Sequence, residues 1–118
     1  MPKTICLDFD GVLNTYDGWK GEDFLFDPRP GAGDFIKELL SLGFQVIIHS
    51  TRDPLKITDW LLDHKFPGAE IIRVTREKPP AIAYVDDRAI CFIGDFALAL
   101  DQVKNFQTYW EDPIPIPH

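Results

Sequence analysis

Short, nearly continuous apolar runs alternate along this chain with segments in which apolar residues recur at helical spacing. The runs are TICLDF (4–9), FQVIIHS (44–50), EIIRVT (70–75), AIAYVDD (81–87) and AICFIG (89–94), and the helical segments are 33–43, 51–66 and one from about 95. Such runs indicate strands buried on both sides, and their alternation with helices predicts an α/β fold. We expect a mostly parallel sheet of about five strands with helices on both faces. A chain of 118 residues suits one three-layer domain spanning 1–118.

Two of the predicted helices carry a start signal. Asp53 precedes Pro54, and an acidic N-cap followed by proline at the first helical position is a typical helix beginning. The last helix is expected to begin near Asp95. Its inward stripe is predicted to comprise Phe96, Leu100 and Val103.

Between the first strand and the first helix lies a segment rich in glycine, proline and polar residues, from 11 to 33. This composition predicts a loop or a short hairpin. Trp19, Phe24 and Phe26 lie within it. They could form an aromatic lip beside a substrate, or they could pack the hairpin onto the core.

Polar side chains stand where three of the predicted strands end. Asp8 and Asp10 close the first strand, Ser50 closes the second, and Asp86 with Asp87 closes AIAYVDD. Carboxylates are costly to bury, so a buried strand that ends in them calls for a reason. Because ligands of parallel sheets bind at the carboxyl ends of the strands, we expect these groups to form one site.

Several carboxylates at one point repel one another unless a cation lies between them. Oxygen ligands favour Mg²⁺, which completes its coordination with waters and a substrate phosphate. Lys78 would add a positive charge, and Ser50 or Thr51 a hydroxyl donor. One carboxylate could attack phosphorus while a second protonates the leaving oxygen. The residues therefore predict phosphoryl chemistry.

Four motifs appear in a familiar order: LDFDGV, VIIHS, Lys78 within REKPP, and YVDD. On these motifs the chain resembles the haloacid dehalogenase-like phosphohydrolases, from about Ile5 to Asp87. The resemblance implies a Rossmann-like sheet with strand order 5-4-1-2-3 and a Mg²⁺-dependent phosphatase. It also implies no cap domain, since both usual insertion points are too short for one. A capless core implies an open site, suited to a phosphate on a macromolecule or covered by another subunit.

Roles follow from the resemblance position by position. Asp8 would be the nucleophile and a Mg²⁺ ligand. Asp10 would be the general acid/base and would bind the metal through its backbone carbonyl. Lys78 would hold Asp8 and the phosphate, and Asp86 would bind Mg²⁺ with Asp87 in support. The candidate substrate contacts are Ser50, Thr51, Arg52 and Gly11.

The negative net charge limits the classes of molecule that the protein is expected to bind. A net charge of -7 would repel bare nucleic acid and anionic membranes, although a bound cation could reverse the sign locally. We therefore expect a phosphorylated small molecule or macromolecular end as substrate, with nucleic acid left open. No apolar run approaches the roughly 18 residues of a membrane span, and the N-terminus does not resemble a signal peptide, so a cytoplasmic protein is expected. Cys6 and Cys91 are expected to be buried free thiols.

Two alternative interpretations remain at this point. Asp8 and Asp10 could merely cap a turn. The chain could also be a non-catalytic phosphate-binding or phosphoacceptor regulatory domain, because receiver domains combine acidic residues, a hydroxyl and a lysine on a parallel sheet. The order of the motifs favours the phosphatase, since Lys78 here precedes the adjacent pair Asp86 and Asp87.

Overall fold

A computed structural model describes residues 2–111 of the protein. Its strands are β1 (Thr4–Asp8), β2 (Gln45–His49), β3 (Arg73–Thr75) and β4 (Ala83–Val85), and its helices are α1 (Ala32–Ser41), α2 (Pro54–Asp63) and α3 (Phe96–Lys104). The chain divides into two compact units, Met1–Asp86 with the sheet, α1 and α2, and Asp87–His118 with α3. The single domain expected over 1–118 stays a prediction.

The sheet is parallel and its strand order is β3-β2-β1-β4. The predicted count of five strands, and with it the order 5-4-1-2-3, is wrong for the described residues, because the run 89–94 forms no strand. In that run Phe92 is 53% and Ile93 71% exposed. An apolar run becomes a strand only where a neighbouring strand pairs with its backbone, and hydrophobicity alone does not report that.

One hydrophobic cluster holds the first unit together. It includes Ile5 and Leu7 of β1 with Val46 and Ile48 of β2. Residues two apart on a strand point to the same face, so these four side chains share one face of the sheet. The helices contribute Ile36 and Leu39 from α1 and Ile57, Trp60 and Leu61 from α2. Both helices of this unit therefore pack on the same face. Helices on both faces stay a prediction.

The predicted start of α2 is confirmed. Asp53 is its N-cap, with the side chain accepting a hydrogen bond from the Leu55 amide at 3.0 Å, and Pro54 is the first helical residue. The predicted start near Asp95 is confirmed as well, since Asp95 accepts from the Leu98 amide at 3.0 Å. Both caps satisfy amides that the first turn of a helix leaves without intrahelical partners.

In the second unit two predictions are wrong. The stripe expected to face inward on α3 is exposed, with Phe96 at 81%, Leu100 at 55% and Val103 at 59%, and no residue of Phe96–Lys104 is buried. Helical spacing shows which side chains share a face, but not whether another element covers it. Cys91 is exposed, although Cys6 is buried as expected and both thiols are free.

Among the helices within residues 2–111, none has the combination of length and apolar composition needed to cross a membrane.

Candidate active site

Three of the predicted polar strand ends meet at one edge of the sheet. Asp8 ends β1 and pairs in register with His49, the last residue of β2. Ser50 is the next residue after His49, so it lies one position beyond Asp8 at the same edge of the sheet. Leu7 pairs with Val85, which places Asp86 level with Asp8 on the other side. Because β1 lies between β2 and β4 and neighbouring strands are about 4.8 Å apart, these three positions adjoin one another.

Asp8 and Asp86 are a candidate pair of metal ligands. Each offers a carboxylate oxygen, and these oxygens lie within 4.8 Å of one another. Asp8 is half-buried and Asp86 is exposed. Two like charges at this spacing repel each other, and a hard divalent cation between them would relieve the repulsion. The two carboxylates could therefore hold a hard divalent cation. Asp87 is the first residue of the second unit, where its Oδ2 accepts a hydrogen bond from the Trp110 indole at 2.5 Å.

A tight turn follows β1 and carries Asp10. The Leu13 amide donates to the Phe9 carbonyl at 2.9 Å, and Gly11 has a φ of 84°, a left-handed conformation that glycine adopts at little cost. Gly11 is one of the predicted substrate contacts, and its amide donates a hydrogen bond to Asn14 Oδ1 at 3.0 Å. The Tyr16 amide donates to the same oxygen at 3.1 Å. The Asn14 side chain thus holds the turn together.

The Asp10 carboxylate is held through both oxygens. Asn14 Nδ2 donates to Oδ1 at 3.0 Å, and Arg52 Nε donates to Oδ2 at 2.7 Å. The Asp10 side chain is 22% exposed, whereas that of Arg52 is 1% exposed. Arg52, predicted as a substrate contact, is therefore buried against the residue predicted to be the acid/base.

The remaining predicted residues lie around this edge. Ser50 is 6% exposed, and its Oγ accepts from the Arg52 amide at 3.1 Å. Thr51 is exposed. Lys78 is exposed, with its Nζ 4.4 Å from the centroid of the Tyr84 ring. Ser50 is thus fixed by the backbone of the following turn, while Lys78 and Thr51 face solvent.

The pKa of the Cys6 thiol depends on the charges of nearby site residues. Its pKa is raised from the ordinary value of 9.0, first by burial and then by the negative charges of Asp8 and Asp86, while Lys78 acts in the opposite direction. Desolvation and nearby anions both disfavour a thiolate. Three of the predicted site residues, one cation and two anions, are thus near enough to act on one side chain of β1.

The loop between β1 and α1 is closed at its base. Asn14 and Pro28 form an isolated antiparallel bridge, which confirms the expected loop or short hairpin. Phe26 is buried at 8%, whereas Trp19 is 60% and Phe24 46% exposed. Packing therefore accounts for Phe26, and an aromatic lip stays a prediction for Trp19 and Phe24.

Asn14 is a site residue that the sequence interpretation missed. It is 0% exposed and joins the turn to Asp10. A signal was available, because asparagine side chains often accept a hydrogen bond from the amide two residues onward, as Asn14 does from Tyr16. The contact with Asp10 had no such local signature.

Searches of the sequence against protein families and against curated proteins find no match. Among solved structures, the chain is similar to a conserved protein coded by a locus of Bacteroides thetaiotaomicron, with a TM-score of 0.55 and 20% identity over 92% of this chain and 95% of that one. This likeness concerns the fold alone. The protein has an α/β fold. Within residues 2–111, the parallel four-stranded sheet and the three helices are consistent with a Rossmann-like layout.

Proposed function

We propose that this protein is a Mg²⁺-dependent phosphomonoester hydrolase of the haloacid dehalogenase-like type. The observation that carries the proposal is the pair Asp8 and Asp86, whose carboxylate oxygens lie within 4.8 Å of each other at the ends of adjacent parallel strands. Asp10 follows Asp8 by two residues and is fixed by a buried arginine. One edge of the sheet therefore brings together a pair of carboxylates that could hold a metal ion and a separately held third carboxylate.

Asp8 and Asp86 would hold the Mg²⁺ ion, and the family resemblance adds the Asp10 carbonyl, with Asp87 in support. When bound, Mg²⁺ supplies positive charge that offsets the negative charge on the phosphoryl oxygens. Lys78 would add to this charge. It is exposed and carries its ammonium on a flexible stem, so it can reach a phosphate at the sheet edge.

The reaction divides between two carboxylates. A carboxylate oxygen of Asp8 forms a bond to phosphorus as the bond between phosphorus and the ester oxygen breaks, which leaves an aspartyl phosphate. Asp10 gives a proton to the departing oxygen and then takes one from the water that hydrolyses the aspartyl phosphate. That step releases phosphate and restores Asp8. Each oxygen of Asp10 accepts one hydrogen bond from the protein and keeps a second lone pair for the proton.

Ser50 would bind the phosphoryl group. Its Oγ accepts a hydrogen bond from the Arg52 amide, and a hydroxyl that accepts can still donate its own proton. That proton would go to a phosphoryl oxygen. Thr51 is exposed beside it and could contact the ester group.

The substrate class follows from the open edge. Asp86, Lys78 and Thr51 are all exposed, so few side chains can surround the leaving group. We therefore propose phosphate esters in which the phosphate is terminal, on a small molecule or on a macromolecular end, with little discrimination among leaving groups.

Asp8→Asn tests the proposal. The amide nearly preserves the shape of aspartate but cannot attack phosphorus, so phosphate release should fall by more than about a hundredfold. Activity is measured with Mg²⁺ on a panel of sugar phosphates, nucleotides and phosphorylated nucleic acid ends, together with thermal unfolding of the same samples. Asp17→Asn is the matched control, because Asp17 is an exposed loop aspartate paired with Lys20 at 3.8 Å.

Full activity of a folded Asp8→Asn protein would contradict the nucleophile role. Binding of inorganic phosphate without turnover of any ester by the wild-type protein would favour the non-catalytic phosphate-binding alternative.

A further inference from the structure

The side chain of Arg52 is almost completely buried, with only 1% of it exposed. Burying a guanidinium is costly unless its charge and its donors are matched. Its Nε meets the Asp10 carboxylate at 2.7 Å, which supplies the opposite charge. The pairing joins residues 42 positions apart in the sequence, so the fold brings them together.

The same guanidinium also binds the loop 14–28. Its Nη1 donates to the carbonyl oxygens of Gly21 at 3.2 Å and Glu22 at 2.9 Å. Its Cζ lies over the Trp19 ring, 4.9 Å from the ring centroid. A lysine could supply charge to one of these partners, but only the planar, multidonor arginine head can engage the carboxylate, the carbonyls and the ring together.

Hydrogen bonds from two side chains fix the orientation of the Asp10 carboxylate. Asn14 holds Oδ1 of Asp10 from the turn, and Arg52 holds Oδ2 from the segment after β2. Two donors from different parts of the chain fix the rotation of the carboxylate plane. Arg52 Nη2, in contrast, is buried and has no hydrogen-bond partner within residues 2–111. Among the described residues, Arg52 thus keeps its Nε on Asp10 although one of its buried donors is left without a partner.

We propose that Arg52 is a positioning residue. It holds the Asp10 carboxylate in the orientation needed for proton transfer, and it connects this carboxylate to the loop 14–28. This inference rests on the proposed phosphatase function and replaces the role of Arg52 as a substrate contact. Proton transfer needs the donor within hydrogen-bond reach of the leaving oxygen. Loss of Arg52 therefore affects those esters whose leaving group must be protonated.

The test compares two esters. The leaving group of p-nitrophenyl phosphate departs without a proton, whereas that of glycerol phosphate requires one from Asp10. Arg52→Met and Arg52→Lys are assayed for kcat and KM on both with Mg²⁺. Because general acid catalysis contributes about 10²–10⁴-fold, we expect Arg52→Met to lower kcat for glycerol phosphate at least about tenfold more than for p-nitrophenyl phosphate. Arg52→Lys should show the same selectivity, since lysine cannot bridge Asp10 to the loop, and it serves if Arg52→Met does not fold.

Two further proteins complete the experiment. Asp10→Asn should show the same selective loss, and adding Arg52→Met to it should make the loss no more selective, since both act through one group. Arg73→Met, at an exposed arginine of β3, should leave both esters unaffected.

Equal losses on the two esters, a selective rise of KM, or unchanged kinetics in folded Arg52 variants would overturn the positioning role. If the wild-type protein hydrolyses neither ester, the proposed function itself fails, and that result is visible before any variant is made.

Discussion

At the residue scale, the Asn14 side chain joins three positions of the turn after β1. Its Oδ1 accepts from two buried amides, Gly11 and Tyr16, and its Nδ2 donates to Asp10. Leucine has a similar size but no polar atoms, so Asn14→Leu would leave both amides without this acceptor. A buried amide without a partner costs about 1–3 kcal/mol.

We expect Asn14→Leu to lower the free energy of unfolding by about 2 to 4 kcal/mol, measured by urea denaturation. The control is Gln45→Leu, which removes an exposed hydrogen bond with Thr4 and should change the free energy by less than about 0.5 kcal/mol. Equal effects of the two variants would show that the Asn14 contacts do not hold the turn.

The raised pKa of Cys6 predicts a dependence of stability on pH. Below the ordinary thiol pKa of 9.0 both the folded and the unfolded chain keep the proton. Above it the unfolded chain releases the proton first, so the contribution of Cys6 to stability is lost as pH rises from 9.0 through the folded pKa. The free energy of unfolding of Cys6→Ala should therefore fall less between pH 8 and pH 11 than that of the wild type. Parallel curves for the two proteins would contradict this coupling.

At the scale of elements, two glycines test how helices α1 and α2 are joined to the rest of the fold. Gly33 lies inside α1, and a Cβ there would meet Pro67 Cδ at an ordinary 3.7 Å. Gly68 follows α2 with a φ of +72°, and a Cβ there would lie only 2.8 Å from Leu40 Cδ1. The same substitution should therefore have opposite effects.

Gly33→Ala should raise the free energy of unfolding by about 0.5 kcal/mol, because alanine favours the helix and restricts the unfolded chain. Gly68→Ala should lower it by more than about 1 kcal/mol, since it combines an unfavourable φ with a steric overlap. Urea denaturation of the two variants side by side makes the comparison. A stabilising Gly68→Ala would contradict both the strain expected at this φ and the overlap with Leu40.

At the scale of the whole molecule, the Asp8 and Asp86 pair should link metal binding to stability. A ligand that binds only the folded state adds about 2.7 kcal/mol at one hundred times its Kd. For a chain of this length that should raise Tm by about 10 °C. We expect Mg²⁺ to do so, with Na⁺ at matched ionic strength as the control.

Asp86→Asn serves as the matched variant for the metal effect. It removes one of the two repelling charges, so Tm without metal should rise slightly and the response to Mg²⁺ should shrink. If Mg²⁺ leaves the Tm of the wild type unchanged, the pair does not bind this cation.

Much of the fold could be predicted from sequence because the responsible forces act locally. The caps Asp53 and Asp95 bond amides two and three residues away, and the helical and strand periodicities follow from backbone geometry. The placement of Asp8, Ser50 and Asp86 at one edge follows from strands that end in polar residues and run parallel. These features need only the order of residues and the geometry of regular elements.

Tertiary structure alone decided the rest, because it depends on which distant segments meet. The fifth strand needed a pairing partner for 89–94, and the apolar stripe of α3 needed a covering element. The hydrophobic pattern of the sequence predicts neither the pairing partner nor the covering element. The position of Arg52 is the sharpest case, since its burial against Asp10 links positions 42 residues apart. An arginine after a strand looks the same in sequence whether it faces solvent or is paired beneath a loop, and only the folded chain supplies the carboxylate and carbonyls that make burial tolerable.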